Sequence, residues 1–440
     1  MTVRNPESTC KKTVCDVLVI GAGPSGMMAA IAASRPGVKV VIAERNGKAG
    51  RKLAITGKGR CNVTNDSDIR TMESQMVSNP KFILSSLSRF DSAKTKEFFE
   101  NAGVPLKVER GQRVFPVSDR AFDIVDALVG ACRKAGVRFF YDTRILSLKK
   151  EDGLFVAEAE NNCFCAAKVV LATGGMSYPS TGSTGDGYRM AESFGHSIVA
   201  PEEGLVPLNV KEAWPKRLMG LTLKNVEVWA TVGGQEVFRD FGEMLFAHFG
   251  ITGPVVLSAS SRLQQALRKK KKTFETAGEV RFFIDLKPAL TEEVLLARLE
   301  RDFTKYAKRQ MPGAMEDLLP KRLIPEILKL SGLAEDRRAS SLTAKEKLTL
   351  VQTLKNLSCT VTGTRSMQEA IITIGGVEVK EVAPGTLQSR KTDGLYLAGE
   401  LLDLDALTGG FNLQIAFSTG FTAGTSAAEA VINDRNGGES

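Results

Sequence analysis

Val14-Cys15-Asp16-Val17-Leu18-Val19-Ile20, then Gly21-Ala22-Gly23-Pro24-Ser25-Gly26, then an Ala-rich run to Ala33, then Val38-Lys39-Val40-Val41-Ile42-Ala43-Glu44, read as strand, glycine turn, helix and strand. That βαβ context turns G-x-G-x-x-G from a weak match into a strong one. Gly21 permits the tight turn, Gly23 lets a pyrophosphate approach the backbone, and Gly26 lets the helix pack close to the strand. Pro24 and Ser25 open the helix, whose free N–H groups and dipole favour an anion. Glu44 follows the fingerprint by about twenty residues, where a carboxylate accepts hydrogen bonds from both ribose hydroxyls and repels a 2′-phosphate. The nucleotide is therefore expected to carry an ordinary adenosine ribose, as FAD or NAD does.

A chain of 440 residues is too long for one core and is expected to split into two or three domains. Its net charge of +9, from 59 Lys and Arg against 50 Asp and Glu, suits dinucleotides or acidic substrates. The positive charge reads as scattered and no nucleic-acid motif is present, so a small-molecule substrate and no nucleic-acid partner are expected. The dense run Arg268 to Lys272 reads as a solvated helix end favoured by the dipole. The 7 cysteines (Cys10, Cys15, Cys61, Cys132, Cys163, Cys165, Cys359) are odd in number and include no C-x-x-C, which points to a reducing cytoplasm. Cys163 and Cys165 share one face of a strand and read as buried thiols; no metal site is expected. No apolar run of about 18 residues offers a membrane span. Oligomeric state is not set by these features.

After Glu44-Arg45, the loop Gly50-Arg51-Lys52-Leu53-Ala54-Ile55-Thr56-Gly57-Lys58-Gly59-Arg60-Cys61-Asn62-Val63-Thr64-Asn65 combines 3 glycines, 4 cations and 4 short polar side chains, a good anion cradle. Ser118 or Asp119 is expected to cap a helix from Arg120 to Ala135. Val137–Tyr141, Ile145–Leu148, Leu154–Glu160 and Cys163–Ala172 read as a β-meander leading into a strand that ends in Thr173-Gly174-Gly175. Beyond Pro201–Pro207 the texture becomes antiparallel (Leu221–Arg239, Phe282–Leu286), then helical from Thr291 to about Leu354. Nucleotide-domain texture returns near Glu369, with strand Gly394–Ala398, Gly399-Glu400, and a final helix from Phe411 to Ala430. The expected domains are 1–203 and 369–440 for the nucleotide, 204–287 with 356–368 for a β-rich insertion, and 288–355 for a helical subdomain.

Three glycine-bearing junctions, 21–26, 173–175 and 399–410, each follow a strand, as in a protein that wraps an extended FAD. Family resemblance follows from Gly21–Gly26 with Glu44, Thr56-Gly57-Lys58-Gly59-Arg60-Cys61-Asn62-Val63-Thr64-Asn65, Val114-Phe115-Pro116, Ala172–Gly175 and Thr184-Gly185-Asp186-Gly187-Tyr188. It continues through Gly242–Pro254, Thr373-Ile374-Gly375-Gly376-Val377, Leu395–Asp403 and Gly409-Gly410-Phe411-Asn412-Leu413-Gln414-Ile415-Ala416. The chain resembles the YhiN/BaiN-type FAD-dependent oxidoreductases, also described as aminoacetone-oxidase-type flavoproteins. Ala247, Thr252 and Phe411 depart from residues more usual there, which loosens inference about substrate. The resemblance implies an α/β fold: a discontinuous Rossmann-like, glutathione-reductase-like FAD-binding domain with an inserted β-barrel and helical domain.

On this reading the FAD contacts are Gly21, Gly23, Pro24, Ser25, Gly26, Glu44, Arg45, Arg51, Lys52, Gly57, Gly59, Arg60, Cys61, Asn62, Thr173, Gly174, Gly175, Gly399, Glu400, Asp403, Gly409, Gly410, Phe411, Asn412, Leu413 and Gln414. Gly409 to Gln414 are placed over the flavin, where first-turn N–H groups meet the C2 carbonyl. The competing reading makes Gly409-Gly410 a turn and Asn412 a helix cap. On the first reading, Gly410→Val lowers the flavin potential or expels the cofactor and leaves the FAD-free protein's stability little changed. Arg60 and Lys58 are candidate cations beside the reduced flavin. His248 is a candidate proton donor or, equally, a residue fixing the Gly250–Pro254 turn; His196 reads as structural, and Cys61 as a small residue packed near the flavin. The absence of a second fingerprint in βαβ context excludes a disulfide reductase with two nucleotide domains. The expected function is an NAD(P)H-driven hydride transfer through flavin N5 to a C=C conjugated with a carbonyl, the nicotinamide being a transient co-substrate. An amine oxidase using O2 and an FAD-binding RNA-modifying or regulatory protein are the alternatives.

Overall fold

The computed structural model describes residues 11–437, so Cys10 lies outside the described residues. Two compact units emerge, one from Met1–Glu203 with Ala370–Ser440 and one from Gly204–Glu369.

The first unit starts with strand β1 (Lys11–Ile20), helix α1 (Pro24–Ala33) and strand β2 (Val40–Ala43). Helix α2 (Ala121–Lys134) leads to β3 (Arg138–Phe140), and β4 (Ile145–Glu151), β5 (Leu154–Ala159) and β6 (Asn162–Leu171) follow before helix α3 (Asp186–Ser193). The sheet runs β3-β2-β1-β6-β5-β4. Its inner strands are parallel and β4-β5-β6 antiparallel. Val17, Leu18, Val19 and Ile42 are fully or almost fully buried, as a parallel sheet covered on both faces requires.

Two expectations need correction. Arg138–Phe140 pairs in parallel with β2 and is not part of the meander, because it returns from a crossover helix. Helix α2 has no side-chain cap: Asp119 accepts instead from Arg60 and Lys107, which are out of reach of sequence spacing.

The second unit is a closed barrel of β7 (Leu208–Val210), β8 (Thr222–Val232), β9 (Gln235–Ala247), β10 (Gly250–Thr252), β11 (Val280–Asp285) and β12 (Leu357–Thr364), in the order β7-β10-β9-β8-β11-β12. Every neighbouring pair is antiparallel. Along β8, Val226, Val228, Ala230 and Val232 are buried in strict alternation, the period of a one-sided strand. Helix α4 (Pro254–Lys269) packs on β8 and β9. Helices α5 (Glu292–Lys305) and α6 (Ala344–Lys355) open on the side-chain caps Thr291 and Thr343, the latter a full capping box with Glu346.

The chain then re-enters the first unit through β13 (Leu395–Leu397), which joins β6 in parallel, and helix α7 (Phe411–Gly437). Helix α7 lies on α1 at backbone distance. A Cβ on Gly420 would fall 2.2 Å from the Ser25 carbonyl oxygen and one on Gly424 2.0 Å from that of Ala29. Ala29 and Ala30 on α1 are fully buried, so small side chains on both helices make this contact possible. Among the described residues no helix is long and apolar enough to cross a membrane.

Candidate active site

Strands β1, β6 and β13 end side by side, which brings Gly21, Thr173 and Gly399 together at the carboxyl edge of the sheet, where open α/β folds bind ligands. The contact is close: Cβ atoms on Gly21 and Gly399 would stand 2.6 Å from the Ala172 carbonyl oxygen and 2.4 Å from Ser25 Oγ.

The fingerprint glycines divide by cause. Gly21 has φ +105°, and a Cβ on Gly26 would lie 1.9 Å from the Gly21 carbonyl oxygen, so the protein itself demands both. Gly23 has φ −78° and ψ −179°, open to any residue, and its Cβ would meet nothing within 4 Å. Nothing among the described residues requires that glycine; the open backbone face it leaves fits a pyrophosphate. Helix α1 starts at this point with no side chain capping it, leaving first-turn N–H groups for an anion. The buried Glu44 carboxylate accepts from Ala22 N (2.8 Å), Asn46 N (2.8 Å) and Asn46 Nδ2 (2.6 Å).

Glu44→Ala is expected to weaken FAD partially. Each ribose bond to a charged acceptor contributes about 1.5–3 kcal/mol before water compensates, and the Ala22 anchor is lost as well. A flavin titration with unchanged affinity would remove Glu44 from the site.

Around this edge the other candidates fall into groups. Lys52 Nζ lies 2.7 Å from Glu400 Oε2 and also donates to Ser177 Oγ. Glu400 Oε1 accepts from Thr373 N (2.7 Å) and Ser177 Oγ (3.0 Å), so this partly buried pair ties the loops after β2, β6 and β13 together. Arg51 donates to Asn46 Oδ1 at 2.8 Å. Arg45 reaches the Gly182 carbonyl, Thr184 and Asp186. Asp186 also binds Arg144 and Arg189; Arg144 above all holds its carboxyl below the usual range. Arg144, Thr184, Asp186 and Arg189 line an open cleft of about 480 Å³ that also includes Met176 and Tyr188.

In the Gly57–Asn62 loop, Gly57, Lys58, Gly59 and Cys61 all have positive φ. Arg60 is committed to Glu109 and Asp119 and stacks 4.2 Å over Phe115, so it is a neutralised cation rather than a free one. Cys61 is fully buried and burial pushes its thiol up to about 12, which makes it inert packing. Asn62 Oδ1 is a buried acceptor with no donor among the described residues. The sequence's C-x-x-x-x-C spacing, Cys10 to Cys15, offers no dithiol chemistry from its described half: Cys15 is buried and its thiol is pushed up to about 12.

Near α7, the Asn412 side chain bonds Ala406 N (3.0 Å) and the Ala406 carbonyl (2.8 Å), bracing the preceding loop instead of capping the helix. The Gln414 amide is spent on Thr64, Thr95, Phe90 and Ser418. What Phe411, Asn412 and Leu413 offer a ligand is their first-turn N–H groups. Asp403 accepts from Asn79 at 3.0 Å. Gly174 has φ +74°, and a Cβ on Gly175 would stand 2.3 Å from Thr373 Oγ1. His248 is exposed in the second unit, in the turn between β9 and β10, edge-on to Phe249 with ring centres 4.9 Å apart. His196 is buried between Ser389 (2.7 Å) and Glu381 (3.3 Å), and burial lowers its pKa.

Sequence reading gave no role to Asn46, Ser177, Thr373 or Tyr188. Tyr188 came with the T-G-D-G-Y block, but its buried hydroxyl, held protonated by burial with Glu400 and Asp403 behind it, is visible only in three dimensions.

The open face of Gly23, the uncapped start of α1 and the orphaned Asn62 acceptor fit FAD, and the fold and site define an FAD-dependent oxidoreductase with a Rossmann-like nucleotide domain. The chain belongs to the family described as HI0933-like protein Rossmann domain, which matches residues 15–426. It is 34% identical over 414 residues to the 3-dehydro-bile acid delta(4,6)-reductase of Clostridium scindens, covering 93% of this chain and 98% of that protein. It is 31% identical over 405 residues to the ribosomal RNA dihydrouridine synthase of Escherichia coli K12, covering 92% and 96%. The fold is shared with 3-ketosteroid-delta4-(5alpha)-dehydrogenase of Rhodococcus jostii RHA1, at 17% identity and TM-score 0.52, covering 96% and 98%.

Proposed function

We propose that this protein reduces a C=C conjugated with a carbonyl, using NAD(P)H as the electron source. The observation that carries the reading is that two relatives matching over nine-tenths of the chain have names which share one electrophile. A 4,6-dien-3-one and a uracil ring both present a β-carbon activated by conjugation with C=O. FAD held at the strand edge supplies hydride at N5 when reduced. The protein's own work is to seat the pyrophosphate on Gly23 and the start of α1, to orient the ribose through Glu44, and to fix the surrounding loops through Lys52 and Glu400. The proton completing the reduction comes from water or a side chain. Reducing cytoplasm is the proposed setting, in keeping with the free thiols of all six described cysteines.

Anaerobic mixing with NADPH or NADH is expected to bleach the flavin absorbance within seconds, and a steroid dienone to restore it. Bleaching by a small amine with restoration by O2 alone would replace the reductase with the oxidase alternative.

A second reading, uridine in RNA as the substrate, is favoured by where the charge sits. The second unit carries 27 Lys and Arg against 19 Asp and Glu, +8 of the chain's +9. The sequence reading of scattered charge missed this asymmetry, because the unit's boundaries are needed to see it.

A further inference from the structure

We propose that the lysine turn closing α4 is a docking surface for the phosphodiester backbone of RNA; the proposal rests on the second reading above. Helix α4 ends at Lys269, and Lys270 is its C-cap. The dipole accounts for Arg268 and Lys269 in the last turn. It does not account for Lys270, Lys271 and Lys272 beyond it. There the backbone makes a Schellman turn, with Lys271 N donating to the Arg268 carbonyl and Lys272 N to the Leu267 carbonyl, each at 3.0 Å. Lys271 takes the left-handed position, φ +52°, that helices ordinarily give to glycine. The chain therefore keeps a cation where glycine would be the more stable residue, and sets it among four like charges.

The lysines of the turn are left open. Among the described residues Lys269, Lys271 and Lys272 meet no carboxylate, and Lys270 donates only to the Val232 carbonyl (3.5 Å) and Gln235 Oε1 (3.2 Å). Arg217, Arg239, Lys305, Arg337 and Lys355 of the same unit are each paired with an Asp or Glu. The acids of the segment that follows, Glu275 and Glu279, are exposed and bond none of the lysines. An open cluster of this density fits a polyanion. An acidic bilayer would also require exposed apolar side chains to bury; the segment's one aromatic, Phe274, is half-buried, and the exposed Thr273, Glu275, Thr276 and Gly278 supply none.

The test measures binding of the FAD-loaded full chain to a fluorescein-labelled, uridine-containing single-stranded RNA over a KCl series. The triple variant Lys269→Ala, Lys271→Ala, Lys272→Ala should bind at least tenfold more weakly with unchanged flavin content. Its slope of log K against log salt should shrink by about 2, at roughly 0.7 per lost phosphate contact. Lys271→Gly should weaken RNA binding while raising the melting temperature, opposite signs that a merely structural turn would not give. If the wild type binds and reduces the RNA but the triple variant binds it equally with the same slope, the docking surface is refuted and the uridine reading stands. If the wild type neither binds nor reduces RNA, the uridine reading fails and the proposal with it. Binding of wild type to phosphatidylserine vesicles in place of RNA would equally overturn it.

Discussion

Gly23→Val is expected to give a folded, soluble and colourless protein. In the protein a Cβ at this position meets nothing within 4 Å, and φ −78° is as comfortable for valine as for glycine. The FAD-free variant should therefore melt within a few degrees of the wild type, slightly higher if the lost chain entropy of glycine dominates. The cofactor has no such latitude, because valine would fill the space in which the pyrophosphate approaches the backbone. Steric exclusion of about 3 kcal/mol already weakens binding more than a hundredfold. Flavin released on denaturation, counted per protein, is the measurement; near-stoichiometric yellow protein would show that the phosphates lie elsewhere.

Gly410→Val is expected to do the reverse and damage the protein before any cofactor is added. Sequence reading placed this glycine over the flavin and expected its replacement to lower the potential or expel the cofactor while sparing the FAD-free protein. The structure puts a Cβ there 2.3 Å from the Thr64 carbonyl oxygen and 2.4 Å from its carbon, backbone atoms that cannot swing aside. The residue also sits at φ +100°. Backbone strain of about 1–3 kcal/mol adds to overpacking of similar size, a large share of a typical domain's stability. Calorimetry of the FAD-free variant should find a strongly lowered melting temperature or no soluble protein. A wild-type melt accompanied by a shifted flavin potential would restore the original reading.

How far the sequence carried the argument depends on distance along the chain. The fingerprint, Glu44 and the strands around them were legible because their chemistry is local: apolar period, glycine spacing and a carboxylate at a strand end. The helix opening at Thr291 and the antiparallel texture of Leu221–Arg239 were legible for the same reason. Arg60 read as a free cation because its partners Glu109 and Asp119 lie 49 and 59 residues away. Gln414 read as a flavin contact because Thr64, 350 residues distant, could not be known to claim it. Lys52 and Glu400 were each singled out, yet their pairing across 348 residues was invisible. Short-range pattern identifies which residues carry chemistry; long-range packing decides whether that chemistry is still available to a ligand.

The backbone contact between α1 and α7 bears on how the protein is made. The Ser25 carbonyl approached by Gly420 belongs to the fingerprint itself, so the fingerprint turn is buttressed by a helix translated after the whole insertion. A nascent chain holds the fingerprint early but lacks β13 and α7, leaving β6 paired with β1 alone along Val169 to Leu171. The barrel, continuous from Gly204 to Glu369, is complete in sequence well before that. The fingerprint turn therefore gains this support only after the whole insertion has been translated, and a chain cut within the insertion lacks it.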